Sequence, residues 1–458
     1  MQTTLQQIWL RIKDKPILLV LLMNVLLAGS GFLKDVLFAH YLGTTETADA
    51  FTFAYFIADT IGNNLIATAL GVVSIPIFTA LVLKGNTKLL KRVTALLSSS
   101  VFVSTVVLSL CFYFAGKLAE GWMSDSSWST KYQLAFHYFV LMLPIIVLFP
   151  LALIGSSLLQ AQYRFLVPSV GPVLFNAVFI IGTALCILFR IGDEWGGTLL
   201  SGSITLAAVV YVLYIWQSAR MKESKSIVEI MQEKKRVRVY TNAIIAHFFP
   251  YFLLLSFTQV LLFVERFLAF HLPEGTLASL NYAYRLAQMP IWVFVSAVTT
   301  VILPEFSAAI TSKTFISTIK KMKSSLVITI LLSLAMSLLL FVLREPVIAL
   351  LFKRGAFTEK SVQITSTILA GYSLSIPGTS LSLIGIRYYV AKRALSLPLL
   401  FLFVTTVISI AFDFLFVPKW GAAAIGYGAA LGSAINGLLF IAAIRMEWKK
   451  IAWKELSV

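Results

Sequence analysis

Long apolar runs recur along the whole of this 458-residue chain, and they limit its possible folds more than any other feature. Most runs reach the roughly 20 residues that an α-helix needs to cross the hydrocarbon core of a membrane. Hydrophobic residues make up 59% of the sequence and charged residues 12%, about half the charged fraction of a typical soluble protein. The hydrophobic core of a soluble protein of this length could not bury so many apolar side chains. The sequence therefore predicts an all-α polytopic membrane protein.

Twelve transmembrane helices are predicted, in two lobes of six. The predicted spans are 16–41, 49–83, 93–116, 132–159, 166–189, 197–217, 239–270, 276–310, 324–343, 361–386, 396–417 and 421–444. The N-terminal lobe covers 1–220, a basic linker covers 221–238, and the C-terminal lobe covers 239–458. Segment 344–360 is too short and too charged at one end to cross, so it is predicted as an interfacial helix on the outer side.

Basic residues are concentrated on one side of the predicted membrane. With the N-terminus inside, 26 of the 37 Lys and Arg residues fall in inner segments, eight in outer segments and three within spans. This asymmetry follows the positive-inside rule, so both termini and the basic linker are predicted to be cytoplasmic. The net charge of +17 then reflects topology and attraction to anionic lipid, and no nucleic-acid partner is expected.

Two pairs of similar stretches suggest an internal repeat. Residues 54–80 of the second span and 283–309 of the eighth both begin with Ala-Tyr. The first stretch ends in Pro-Ile-Phe-Thr-Ala and the second in Pro-Glu-Phe-Ser-Ala-Ala. A fainter similarity links 161–168 with 391–398. Because each copy has the same ordinal position in its lobe, the repeats are predicted to be parallel, related by a pseudo-two-fold axis along the membrane normal. A substrate path is expected between the two halves.

Charged side chains within the spans are the candidate functional residues. A charge at bilayer depth costs about 3 kcal/mol on insertion scales, so it normally faces a cavity or a partner. The set comprises Lys34, Asp35, Asp59, Glu265, Arg266 and Arg285, with Asp49 at the outer mouth of span two and Asp413 near the outer end of span eleven.

Two polar stripes are predicted, one in each copy of the repeat. On a helical wheel the first stripe contains Asp49, Thr52, Phe56, Asp59 and Asn63, and the second contains Asn281, Tyr282, Arg285 and Gln288. The simplest packing places both stripes along a central aqueous cavity, where Lys34, Asp49, Asp59, Asn63, Arg285 and Gln288 would bind substrate. Asp35, Glu265 and Arg266 are candidates for structural ion pairs or coupling charges.

No motif of catalysis, metal binding or nucleotide binding is present in the sequence. The four His residues are scattered, and Cys111 and Cys186 each lie within a span with no neighbouring ligand. The chain is therefore predicted not to be an enzyme and to need no cofactor. Transport would be facilitated or driven by the membrane potential or a coupling ion.

Several stretches resemble one family of transporters. They are "GFLKDVLFAHYLGTTETADAF" (31–51), "LQAQYRFLVPSVGPVLFN" (159–176), "NYAYRLAQMP" (281–290), "VILPEFS" (301–307) and "LFKRGAFT" (351–358). In this order they resemble the MurJ/MviN lipid II flippases, which belong to the multidrug/oligosaccharidyl-lipid/polysaccharide exporter superfamily. The resemblance runs through all twelve predicted spans.

The resemblance implies a two-lobed exporter that works by alternating access in the bacterial cytoplasmic membrane. Its substrate would be an undecaprenyl-pyrophosphate-linked precursor, lipid II or a related lipid-linked oligosaccharide, moved from the inner to the outer leaflet for peptidoglycan or polysaccharide synthesis. Enzymes of those pathways would be partners. By motif, Lys34 takes the family's basic position, Asp49 its "DAF" acid and Arg285 its span-eight arginine. A pyrophosphate needs such cations in a shielded cavity.

The chain departs from the family pattern in two intramembrane stretches. A family arginine falls at Ala28, and a basic pair falls near Gly62 and Asn63. The family also commonly has two C-terminal helices beyond the twelve predicted here. Two other functions therefore stay open: a cation-coupled multidrug antiporter with Asp59 or Asp35 as its coupling site, and a non-transporting pseudo-flippase scaffold.

Overall fold

Every regular element is a helix in the part of the chain that the computed structural model describes, residues 16–122, 129–219, 230–291, 315–392, 394 and 396–456. In chain order the helices are α1 (Pro16–Leu42), α2 (Glu46–Asp59), a π-helical turn (Thr60–Ala67), α3 (Thr68–Leu83), α4 (Thr87–Trp122), α5 (Ser129–Met142), α6 (Pro144–Ala161), α7 (Leu166–Leu188), α8 (Asp193–Ser218), α9 (Ile230–Phe270), α10 (Thr276–Pro290), α11 (Phe315–Val342), α12 (Arg344–Phe352), α13 (Glu359–Ala391), α14 (Ser396–Trp420) and α15 (Ala422–Leu456). The predicted all-α fold is confirmed.

Ten helical segments in the described ranges are long and apolar enough to cross a membrane, or eleven if the bent pair α11–α12 forms one span. Eleven of the twelve predicted spans are helical along nearly their whole length, with a break at Leu143 between α5 and α6. The eighth, 276–310, begins as α10, but residues 292–314 lie outside the described ranges. Several helices are longer than the predicted span, as α4 is at both ends. The apolar stretch matches only the part of a helix that lies in the hydrocarbon core, and the helix can continue beyond it.

The segment predicted to be interfacial contains a separate short helix. The axis of α12 is bent by 73° from that of the preceding helix, and Gly355, at φ +60°, lies in the turn after it. The Ser361 amide then donates to Thr358 Oγ1 (3.4 Å), and the Thr358 amide donates to Ser361 Oγ (3.2 Å), so Thr358 caps α13. The placement of α12 at the membrane surface stays a prediction.

The described residues form two compact units. The first contains the residues up to Ser256 except Gly43–Thr45, and the second contains Gly43–Thr45 and the residues from Phe257 onward. The division therefore falls within α9, later in the chain than the predicted linker. In the first unit α1 packs on α7, α2 on α5, and α7 on α8; in the second, α13 packs on α10, α11 and α15, and α15 also packs on α14.

Glycines bring α13 and α15 into close contact in the second unit. A Cβ atom built on Gly371 would lie 2.4 Å from the carbonyl carbon of Gly426, and one on Gly378 would lie 2.4 Å from that of Ser433. Glycines seven residues apart lie on one face of a helix, so α13 presents a side-chain-free strip to its partner. Such contact between small residues lets helix backbones approach within a membrane protein.

Candidate functional site

Lys34 lies in α1 with its ammonium group among aromatic rings of the first unit. Its Nζ atom is 5.5 Å from the ring centroid of Tyr55 in α2 and 5.8 Å from that of Phe179 in α7. Lys34 is 8% exposed, and the same Nζ atom is 4.0 Å from Oδ1 of Asp35. Because aromatic faces attract cations, rings from two neighbouring helices stabilise this charge inside the bundle. The lysine side chain is long enough to reach Asp35 although the two residues leave the helix in different directions.

Asp49 forms a buried ion pair with Lys131. The Lys131 Nζ atom is 2.8 Å from Asp49 Oδ2, and the two residues are 4% and 0% exposed, respectively. Asp49 lies in the first turn of α2, where a helix dipole favours a negative charge, and Lys131 lies near the start of α5. Lys131 was not among the predicted site residues, because the hydropathy pattern assigns it to the outer loop just before span four.

A π-helical turn shapes the middle of the second predicted span. It covers Thr60–Ala67, directly after Asp59 at the end of α2. The Asn63 side-chain amide donates to Asp59 Oδ1 (3.1 Å), and that of Asn64 donates to Oδ2 (3.0 Å). Hydrogen bonds in a π-helix join residues five positions apart, so the wider turn brings Asn64 below Asp59 together with Asn63. The α-helical wheel identified Asp59 and Asn63 but could not identify Asn64.

The same turn lies directly against α6. A Cβ atom on Gly62 would be 2.9 Å from Cα of Ile146 and 3.0 Å from the carbonyl oxygen of Ile145. No side chain fits there without moving the backbone of α6. The close helix contact leaves no room for a long basic side chain at Gly62.

In the second unit a buried ion pair is connected to two tyrosines. Glu265 Oε2 is 2.9 Å from Nη1 of Arg266 and accepts a hydrogen bond from the Tyr372 hydroxyl (2.8 Å). The Arg266 guanidinium lies 4.7 Å from the ring centroid of Tyr284. Glu265 and Arg266 are 1% and 4% exposed. The ion pair of α9 is therefore linked to α13 through Tyr372 and to α10 through Tyr284.

A cavity of about 210 Å³ lies beside this network in the second unit. Its walls come from α9, α10, α13, α14 and α15, and they include Glu265, Tyr284, Tyr372 and the predicted site residue Gln288. Arg285, directly after Tyr284 in α10, is partly buried. The structure thus brings Glu265 and Gln288 to one cavity, and Arg285 is not among the described residues that line it.

Asp413 carries a buried carboxyl group in α14, one of the helices that line this cavity. It is 0% exposed, and neither carboxyl oxygen has a hydrogen-bond partner among the described residues. A Cβ atom on Gly428 of α15 would be 2.1 Å from Asp413 Oδ1, so the glycine provides the space for this side chain. In the described ranges no cluster of three or more His, Cys, Asp or Glu side chains is arranged to hold a metal ion.

Sequence reasoning found the charged residues but missed several of their partners. Lys131, Asn64 and Tyr372 each contact a predicted residue, and none of the three lay in a predicted stripe. Lys131 could have been suspected from its position at the edge of an apolar run. Tyr372 carries no sequence signal of its own, because one tyrosine in an apolar helix is common. The assignment of the predicted residues to substrate binding stays a prediction.

Comparison with known proteins gives consistent results along the chain. The family model described as "Lipid II flippase MurJ" matches residues 38–458. A probable lipid II flippase MurJ of Rhizobium meliloti (strain 1021) is 25% identical over 428 residues, covering 91% of this chain and 78% of the relative. A probable lipid II flippase MurJ of Aquifex aeolicus (strain VF5) is 26% identical over 412 residues, covering 88% and 78%.

Solved structures share the fold. The structure described as "Lipid II flippase MurJ, inward closed conformation" matches with a TM-score of 0.77 and 22% identity, over 96% of this chain and 90% of that one. An inward-facing multidrug resistance transporter of the MATE family gives a TM-score of 0.76 and 14% identity, over 93% and 95%. The chain is a multi-pass protein of the bacterial cytoplasmic membrane. Because the family model matches nearly its whole length, the chain belongs to the MurJ lipid II flippase family.

Proposed function

We propose that this protein is a flippase that moves an undecaprenyl-pyrophosphate-linked cell-wall precursor from the inner to the outer leaflet by alternating access. The substrate class is lipid II or a related lipid-linked oligosaccharide. Family membership over residues 38–458 and relatives named as lipid II flippases support the proposal. Enzymes that make and use this precursor are the expected partners.

The observation that carries the proposal is the position of Lys34. Its ammonium group is kept among aromatic rings inside an apolar helix bundle, at the family's basic position. A cation at bilayer depth is costly, so it normally faces a partner or a water-filled cavity. A pyrophosphate provides charged oxygens that form strong hydrogen bonds with a lysine or an arginine. Lys34 and Arg285 are the residues proposed to contact it.

The contact of Gly62 with α6 limits the positions at which a basic side chain can contact the charged group of the substrate. Because no long side chain fits at position 62, a basic residue has no room there. Asp59 and the two side-chain amides that donate to its carboxylate instead provide polar groups without a positive charge. The proposed role of Asp59 and Asn63 is therefore contact with neutral polar parts of the substrate rather than with phosphate. Asp49, paired with Lys131, is proposed to position α2 against α5.

The test is depletion of the chromosomal copy, complementation by plasmid-borne variants, and analysis of lipid-linked intermediates. Lys34→Ala and Arg285→Ala are expected to accumulate an undecaprenyl-pyrophosphate-linked intermediate on the inner leaflet at normal protein levels. Arg387→Ala is the matched control, because Arg387 is an exposed arginine of α13 outside both proposed contact positions. Full complementation by Lys34→Ala and by Arg285→Ala would refute the proposed phosphate contacts.

The chemical identity of the accumulated intermediate separates the substrates. A pentapeptide-bearing disaccharide would identify lipid II, and another saccharide would identify an exopolysaccharide precursor. If depletion changes no envelope precursor, and drug resistance depends instead on Asp59, the flippase proposal fails and the antiporter function replaces it.

A further inference from the structure

The turn between α6 and α7 lies where the chain leaves one membrane-crossing segment and enters the next. One candidate span ends at Ala161 and the next begins at Leu166, so the connection consists of residues 162–165 alone. A connection of this length reaches at most about 14 Å, so it stays close to the membrane surface. The predicted topology places it on the cytoplasmic side. The headgroup layer of the bilayer therefore surrounds this turn.

Neighbouring residues of the turn and of the start of α7 expose apolar surface. Tyr163 is 63% exposed, and Phe165 and Leu166 are each 41% exposed. The rings of Tyr163 and Phe165 meet edge to face, with their centroids 6.1 Å apart. Aromatic rings are enriched at the membrane–water interface, where they lie at the level of the headgroups. The exposed aromatic pair is thus at the depth where such rings are stable.

The backbone of Tyr163 is in the left-handed region, with φ +59°. Its amide donates to the carbonyl of Gln160 (2.9 Å), and the Arg164 amide donates to that of Leu159 (2.9 Å), the hydrogen bonds of a Schellman motif at the end of a helix. Glycine is usual at this position, because a Cβ atom comes close to the following carbonyl oxygen. Since most of the Tyr163 side chain is exposed, contacts within the chain offset little of this cost. The strain indicates that the ring has its main contact outside the chain.

Arg164, between the two aromatic residues, supplies a positive charge. Its Nη1 atom donates to the carbonyl oxygen of Ser218 at the end of α8 (2.7 Å), and the residue is exposed. A guanidinium group has five N–H donors, so this bond leaves others for a ligand. Segments 126–192 and 195–222 contain no Asp or Glu, so α6, α7 and the end of α8 near the turn carry no carboxylate. A cation without acidic neighbours at headgroup depth favours a phosphate, to which arginine forms strong hydrogen bonds.

We propose that this turn binds the phosphodiester group of a bilayer phospholipid. The Arg164 guanidinium donates to the phosphate oxygens, and the rings of Tyr163 and Phe165 pack beside it against the glycerol and the upper part of the acyl chains. The contact fixes the depth of α7 in the bilayer. Because α7 carries Phe179, one of the rings near the Lys34 ammonium group, the lipid contact also fixes the depth of that ring. This interaction does not depend on the identity of the transported substrate.

The test identifies the lipid that contacts position 163 of the purified full-length protein. p-Benzoylphenylalanine takes the place of Tyr163, and the nanodiscs contain equal amounts of phosphatidylglycerol and a phosphate-free diglucosyl lipid with the same acyl chains. Mass spectrometry of the light-induced adducts is expected to show phosphatidylglycerol in about fivefold excess, the effect of one basic residue at a membrane surface. Adducts in the bulk ratio of the two lipids, or no lipid adduct at all, overturn the inference.

Variants at Arg164 separate the phosphate contact from attraction by the net charge of the protein. With the same probe at position 163, Arg164→Gln should reduce the excess to the bulk ratio, and Arg164→Lys should retain most of it because the positive charge stays. Arg190→Gln is the matched control and should leave the excess unchanged, since Arg190 is an exposed arginine just beyond the opposite end of α7.

Three further outcomes would contradict the proposal. An unchanged excess in Arg164→Gln rules out the phosphate contact, and an equal reduction in Arg190→Gln shows attraction by net charge alone. Adducts to a protein in place of lipid, when the probe is used in whole cell membranes, would assign the turn to a protein partner instead.

Discussion

The two units hold buried ion pairs in different ways. In the first unit Asp49 and Lys131 are 82 positions apart, so their contact at 2.8 Å itself joins α2 to α5. In the second unit Glu265 and Arg266 are neighbours in α9, so their ion pair alone joins no helices. There the connection comes from Tyr372 of α13, which donates to the carboxylate, and from the tyrosine ring of α10 that stacks on the guanidinium.

The comparison shows that the free-energy cost of burying a charge can be offset by different kinds of partner. A buried charge is tolerated when its partner and hydrogen bonds replace the lost water. In the first unit the opposite charge comes from another helix, as Lys131. In the second unit the work is divided among an adjacent charge, a hydroxyl group and an aromatic face. Loss of one group should therefore be more damaging in the first unit than in the second.

The largest effect is expected for Lys131→Met. It removes the cation that lies 2.8 Å from the buried Asp49 carboxylate, and the free energy of unfolding should fall by about 4–5 kcal/mol. Thermal unfolding of the purified protein in detergent measures the loss. The double variant Asp49→Leu with Lys131→Met should recover most of it, because an apolar pair replaces the ionic one. Equal damage in the single and double variants would show that the pair does not determine stability.

A smaller loss is expected for Arg266→Met. Glu265 keeps the hydrogen bond from Tyr372, so the free energy of unfolding should fall by about 3 kcal/mol, less than for Lys131→Met. Both variants are compared by thermal unfolding under the same conditions. If Arg266→Met proves the more damaging of the two, the proposed division of work among several partners in the second unit is wrong.

Tyr372→Phe should cost less again. It removes a hydrogen bond of 2.8 Å to a charged acceptor and keeps the ring, so we expect a loss of about 2 kcal/mol. Tyr284→Phe is the matched control, because it keeps the ring face on which Arg266 stacks. Thermal unfolding should separate the two variants, and equal midpoints would contradict the role assigned to the Tyr372 hydroxyl.

The smallest effect is expected at the π-helical turn. Asn64→Ala removes one of the two amides that donate to Asp59, and the free energy of unfolding should fall by about 1 kcal/mol. Asn63→Ala should have a similar effect, since its amide serves the other carboxylate oxygen. Chemical unfolding of both variants tests this equality. A change at Asn63 alone would indicate an α-helical rather than a π-helical turn.

Much of the helical framework was predictable from hydropathy. The limits of α7 agree with the predicted span within one residue, because a bilayer selects a length of apolar sequence and a helix is the only single-segment structure that satisfies its backbone there. The buried positions of Lys34, Glu265 and Arg266 also agree with their prediction as charges within spans. Hydropathy failed where helices meet, as at Lys131, which is buried although it precedes the apolar run.

The sequence by itself determined the class of fold, the approximate spans and the set of intramembrane charges. These follow from local properties, since apolar length and charge are read residue by residue. Only the tertiary structure decided the partners: Lys131 for Asp49, Tyr372 for Glu265, and the π-helical turn that adds a second amide to Asp59. It also revealed the cavity of the second unit. The physical reason is that partners depend on how helices pack, and packing depends on close contacts such as that of Gly62 with α6, which a one-dimensional pattern does not contain.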